Sequence, residues 1–146
     1  MQIIIRQSTP TDFPSIFSLI KEFAHFQKTP EKVSITLEQM QAEQNVFQCF
    51  VAVADSEIVG FASFFFAYYS WSGKALYLDD LYVQQPFRHH KIGSQLLDTV
   101  IDFAKTNHCK KVRWLVSKWN DNAICFYQKM GAVVDDTDMV CDLNLA

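Results

Sequence analysis

The sequence predicts an α/β (α+β) fold in a single domain, residues 1–146: a mixed, mostly antiparallel sheet with helices on both faces. Three observations carry this. Two strand-like apolar runs, 47–54 and 58–69, are separated only by the polar turn Asp55-Ser56-Glu57, the spacing of an antiparallel hairpin. Further on, a strand-like run at 76–83, a loop, an amphipathic segment from Ile92 and a second strand-like run at 112–116 follow in the order of a parallel crossover. Finally, 146 residues that are 49% hydrophobic and 14% aromatic suffice for one buried core. No repeat, low-complexity tract or Pro/Gly/Ser linker marks a boundary.

Each element has its own local signal. A short strand at 2–6 is followed by Thr9 as N-cap, Pro10 at the first helical position and Asp12 where a capping-box acid accepts the cap N–H. Phe13, Ile16, Phe17, Ile20, Phe23 and Ala24 then recur at helical spacing and give that helix one broad apolar face. Thr36 starts a shorter helix, with Gln39 three residues on. After the hairpin and the strand at 76–83, Ile92, Leu96, Leu97, Val100, Ile101 and Ala104 line one side of a helix ending near Asn107. Asn120 caps a last helix, Gly131 is suited to a left-handed terminator, and a final strand is expected at about 139–145.

Composition excludes several classes. Thirteen Lys plus Arg against sixteen Asp plus Glu give a net charge of −3, which argues against a nucleic-acid binder. Cys49, Cys109, Cys125 and Cys141 lack CxxC spacing and follow no secretory signal, the pattern of reduced thiols in a cytoplasmic protein. His25, His89, His90 and His108 show no chelating spacing, so no metal is expected. The longest apolar run, 58–69, is too short for a membrane span.

The stretch Phe87-Arg88-His89-His90-Lys91-Ile92-Gly93 leads into a helix start, where free backbone N–H groups and the macrodipole favour an anion. Arg88 and Lys91 add full charges. On these residues alone, a solvated basic loop is the favoured reading, since basic clusters are common on surfaces.

Wider matches bear on that choice. They are Ile3-Ile4-Ile5-Arg6, Ile58-Val59-Gly60-Phe61-Ala62, Trp71-Ser72-Gly73-Lys74, Leu76 to Val83, Arg88 to Gly93, and Trp119-Asn120 through Phe126-Tyr127 to Gly131-Ala132. Through them the chain resembles the GCN5-related N-acetyltransferase family, and more closely its diamine (spermidine/spermine-type) branch. The family's phosphate-loop pattern is Arg or Gln, two residues, Gly, one residue, then Gly or Ala; here Lys91 occupies the central glycine position.

The resemblance implies acetyl-CoA bound along Leu81, Tyr82 and Val83 at the parallel crossover. It implies a pyrophosphate on the N–H groups of Arg88, His89, His90, Lys91, Ile92, Gly93 and Ser94, with Asn120 and Phe126 completing the slot. Tyr127, in the arrangement Asn120-(six residues)-Tyr127, resembles the family's general acid. Asp79 stands where the family has a glutamate and is the expected base, with contact through water. Asp80 would add negative charge for a cationic amine, and Trp71 and Tyr69 would wall its channel by cation–π contact. A homodimer is also implied. The expected activity is direct acetyl transfer, in a ternary complex, to a small-molecule primary amine such as a polyamine, diamine or amino-acid-like amine. Acetylation of a protein or peptide amine is an alternative; so is an acyl-CoA-binding sensor or dimer module without turnover, marked by Lys91.

Overall fold

The computed structural model describes residues 1–145, which fall into two compact units, one of Met1–Trp114 and one that begins at Leu115. The first unit holds the sheet. Strands β1 (Ile3–Gln7), β2 (Gln48–Ala54), β3 (Glu57–Tyr69), β4 (Gly73–Val83) and β5 (Val112–Arg113) lie in the order β1-β2-β3-β4-β5. The first four pair antiparallel and β4 pairs with β5 in parallel, as expected of a mixed, mostly antiparallel sheet. Helices α1 (Phe13–Phe26), α2 (Leu37–Ala42) and α3 (Ile92–Thr106) belong to the same unit.

Strand alternation decides which helix covers which face. On one face Cys49, Val51, Phe61 and Tyr82 form a buried cluster with Phe13, Ile16 and Leu19 of α1 and Met40 of α2. On the other, Phe103 of α3 meets the rings of Phe50 and Phe64, with centroids 5.3 and 5.4 Å away. Ile92, Leu96, Leu97, Val100 and Ala104 are the buried stripe of α3. At Gly60 the packing leaves no room for a side chain: a Cβ there would stand 2.9 Å from the Tyr82 carbonyl oxygen and 3.4 Å from Leu96 Cδ1.

Local signals start and stop the helices as their residues suggest. The Asp12 carboxylate accepts from Thr9 N at 2.8 Å, Thr36 Oγ1 from Gln39 N at 3.1 Å, and Asn120 Oδ1 from Ala123 N at 3.2 Å, which opens α4 (Asp121–Lys129) in the second unit. Gly131 ends α4 with φ +102°.

Two expectations are corrected. The strand expected at 112–116 shortens to Val112–Arg113, which pairs with Leu76 and Tyr77; two residues further on, β4 carries a bulge against β3, where ladders are disrupted. The strand expected at 139–145 is not formed. Among the described residues α4 is the one regular element of the second unit, so within that unit the alternating apolar residues have no strand partner, and an unpaired extended segment has no ladder to fix it.

Candidate active site

The register shift between β3 and β4 falls at the paired acids. Ser63 pairs with Asp80 but its neighbour Phe64 pairs with Leu78, so Asp79 is an extra residue without a cross-strand partner. A bulge of this kind breaks strand alternation and re-aims side chains, which removes the usual rule that adjacent residues face opposite ways. The Ser63 hydroxyl oxygen accepts from Asp80 N at 3.2 Å and pins the backbone there. Asp79 is exposed and Asp80 half-buried. Burial raises both carboxyls; for Asp80, burial and then the neighbouring Asp79 charge push the value up to about 6. Among the described residues, neither carboxylate has an ion-pair or side-chain hydrogen-bond partner. Asp80 thus holds its proton to a higher pH than an ordinary carboxyl does.

Beyond Tyr77, β4 runs on from Leu78 to Val83 without a β5 neighbour. One edge of the strand that carries Leu81, Tyr82 and Val83 is therefore open within the first unit. The chain then turns through Gln85–Phe87 and enters α3 with Lys91 as its N-cap. Lys91 is left-handed, with φ 63° and ψ 17°, which explains why a glycine suits this position. His89 is left-handed too, at φ 69°. The first turn of α3, at Ile92, Gly93 and Ser94, directs N–H groups outward that no carbonyl within the helix can accept. These donors, the positive end of a 15-residue helix and the exposed ammonium of Lys91 fit a diphosphate.

Arg88 is fixed rather than free. Its Nε donates to the Val83 carbonyl at 2.9 Å, and its guanidinium lies 4.6 Å from the Phe26 ring centroid and 5.5 Å from that of Tyr82. Tyr82 in turn donates its hydroxyl to Glu22 Oε2 at 2.5 Å and stacks on Phe23 at 4.9 Å. Glu22 Oε1 also accepts from Gln84 Nε2 at 3.2 Å. Burial, then the bonded Glu22, raise the Tyr82 phenol to about 12.

The expected amine-channel aromatics sit at the far end of the hairpin. Tyr69 pairs with Gly73 at its tip, and six residues of β3 separate it from Ser63, roughly 20 Å at strand rise. The first unit therefore does not bring Tyr69 together with Asp79 and Asp80. Its ring is already covered by the protein's own cations, Arg113 at 4.3 Å and Lys111 at 4.8 Å. Trp71 is fully exposed.

In the second unit Asn120 caps α4, on which Phe126 and Tyr127 adjoin with ring centroids 5.6 Å apart. Tyr127 is half-buried, and burial raises its phenol above the ordinary value, which keeps it protonated. Cys125 is exposed.

Sequence reading missed Glu22, Phe26 and Ser63. Glu22 and Phe26 share a helical face at i, i+4 spacing, but the surface they meet, Tyr82 to Arg88, lies far along the chain. Ser63 stands out only once the register shift beside it is known.

The sequence profile of the Acetyltransferase (GNAT) family matches residues 13–132. The chain is 31% identical over 142 residues to the thialysine N-epsilon-acetyltransferase of Bos taurus, covering 89% of this chain and 84% of that one. It is 32% identical over 140 residues to the spermidine/spermine N(1)-acetyltransferase-like protein 1 of Homo sapiens, covering 88% of this chain and 20% of that longer protein. In fold it is similar to an aminoglycoside acetyltransferase from an uncultured soil metagenomic sample, with a TM-score of 0.81, 22% identity, and 99% and 97% of the two chains covered. The profile spans the acid pair, the phosphate-type loop and α4 alike, and the chain is thereby a member of the GNAT family, an N-acetyltransferase whose co-substrate is acetyl-CoA.

Proposed function

We propose that the protein transfers the acetyl group of acetyl-CoA directly to a primary amine of a small, cationic molecule of the diamine, polyamine or amino-acid type. The observation that carries this reading is the Asp79–Asp80 pair on the β4 bulge, two carboxylates without protein cations beside the open edge of the strand. Relatives named for thialysine and for spermidine or spermine support the same substrate class. Two adjacent carboxylates complement an ammonium and stabilise it until its proton is taken.

On this reading the carboxylate pair accepts the proton of the incoming ammonium, with Asp79 on the solvent side making the contact, directly or through water. The nitrogen lone pair then forms the C–N bond as the C–S bond breaks, Tyr127 gives its phenolic proton to the departing thiolate, and the proton shed by the acylated nitrogen passes through water to restore the phenol. Arg88 to Ser94 hold the pyrophosphate by backbone N–H groups, with the Lys91 ammonium supplying charge, and Leu81 to Val83 offer open-edge backbone groups. Asn120 and Phe126 belong to the cofactor's surroundings. Trp71 and Tyr69 are left to the distal end of a long amine. The chain works as one domain, a reading supported by a family profile that runs unbroken from 13 to 132. The same reading makes the protein a cytoplasmic homodimer, which light scattering on the purified chain checks.

CoA release with an amine panel tests the activity. Diamines and lysine- or ornithine-like side-chain amines should turn over. Turnover on peptide amines alone would replace the small-molecule reading, and acetyl-CoA binding without turnover on any amine would make the protein a sensor. Intersecting initial-velocity lines are expected for direct transfer. Parallel lines with an acetyl adduct on Cys125 would overturn it.

A further inference from the structure

Two left-handed residues in one short loop require something to hold them. Side-chain-bearing residues adopt this backbone conformation only where surrounding contacts fix it. His89 and Lys91 are both exposed, so burial of their own side chains does not do so. The loop is instead fixed at its ends. At one end Ile92, the first residue of α3, is buried to 1% exposure. At the other, Arg88 is tied to the Val83 carbonyl and lies against two aromatic rings, Phe26 and Tyr82. Behind that shelf Tyr82 is held by Glu22, which also takes Gln84. Phe26 and Glu22 are one turn apart on α1, and neither is needed for the α1 core, which is built on Phe13, Ile16 and Leu19. Phe26 itself remains 52% exposed.

We propose that the C-terminal end of α1, through Glu22 and Phe26, is a positioning element for acetyl-CoA: it clamps Arg88 and so holds the loop from Arg88 to Lys91 in its left-handed, amide-presenting form. The inference rests on the reading that this loop takes the pyrophosphate. Glu22 and Phe26 touch no reacting atom; they act through Tyr82 and Arg88. Without the clamp the loop relaxes toward conformations in which its N–H groups no longer converge, and the cost falls on cofactor binding rather than on the chemical step.

The test is Phe26→Ala in the full chain, chosen because a half-exposed ring can be removed without opening the core. Acetyl-CoA affinity is measured by calorimetry, kcat and KM by CoA release, and hydrogen exchange at the amides of 89–94 and of β2. The expected result is roughly tenfold weaker acetyl-CoA binding, kcat at saturation within about twofold, and faster exchange in the loop but not in β2. Glycine occupies the left-handed region freely, so in the Lys91→Gly background the same Phe26→Ala change should cost clearly less, and this rescue is something a merely structural role would not produce. Tyr82→Phe, which keeps the shelf and removes the Glu22 bond, should give a smaller effect of the same kind. Unchanged loop exchange in Phe26→Ala overturns the clamp, as does an equal affinity loss in both backgrounds. Absence of acetyl-CoA binding by the unaltered protein overturns the phosphate-site reading instead, and the exchange measurement, which needs no ligand, still decides the clamp.

Discussion

Two acidic corners of the same sheet behave in opposite ways. At the start of α1, Asp12 is buried and fully engaged: Arg6 donates to both of its oxygens, at 2.7 and 2.9 Å, and Thr9 N donates at 2.8 Å. The Arg6 hydrogen bonds dominate and hold its carboxyl down at about 2. At the β4 bulge, Asp80 is half-buried and has only another acid beside it, and it is pushed up to about 6. The chemistry of the side chain is the same, and its partners decide the sign. A paired acid stabilises the fold, whereas an acid stripped of partners costs stability and is retained where a proton must be moved.

The widest separation between the corners should appear in activity. Asp79→Asn with Asp80→Asn leaves the shape of the bulge and removes its charge, and kcat/KM for a small diamine near pH 7 should fall by roughly 10²-fold or more. The wild-type rate should also climb through pH about 6 as the pair ionises, and the double variant should lose that limb. Asp12→Asn should leave kcat within about twofold. Comparable activity losses at the two corners would remove the distinction.

Stability should invert the order. Asp12 is depressed from 3.8 to about 2, so its contribution is present above pH 4 and lost as pH falls from about 4 to about 2. Asp12→Asn should therefore cost about 2 kcal/mol at pH 7, and much less at pH 2, by urea denaturation. Asp80 is raised from 3.8 to about 6, so the folded state is favoured while the group is protonated and loses ground as pH rises from about 4 to about 6. Asp80→Asn should then stabilise the protein by about 1 kcal/mol at pH 8, a value reduced for partial solvation, and by nothing at pH 4. A destabilised Asp80→Asn at pH 8 would show that the carboxylate has a structural partner after all.

At the first corner the cap was legible in the sequence but the Arg6 bonds to Asp12 were not, and the second corner was legible only in part. Thr9, Pro10 and Asp12 interact within one turn, so their capping arrangement follows from spacing alone, as do the caps at Thr36 and Asn120 and the terminator Gly131. The acids at 79 and 80 were visible as a pair, but which of them faces where depends on a register shift set by β3, and no local pattern records it. The Arg88 clamp was hidden for the same reason: Glu22 and Tyr82 are 60 residues apart. Alternation at 139–145 misled because a strand is a property of a pair. Lys91 shows the reverse case. Its departure from the family glycine pointed to a position with special backbone demands, and the left-handed φ of 63° is that demand.

The hairpin tip supplies the smallest expected effect and calibrates the two corners. Trp71 is fully exposed in a turn roughly 20 Å along the strand from the acid pair, and it takes part in none of the ring contacts of the first unit. Exposed side chains without such contacts change stability by only about ±0.5 kcal/mol when truncated. Trp71→Ala should thus leave the thermal midpoint nearly unmoved at both pH 4 and pH 8, unlike either acid variant. A short diamine held at Asp79 and Asp80 cannot span to the tip, so its kcat/KM should change by less than about threefold. A long polyamine can extend further toward it and should lose more, through KM rather than kcat. If the short diamine instead loses tenfold or more, the tip reaches an acid pair by a route outside its own hairpin, and the contrast between corners would have to include the residues around Trp71.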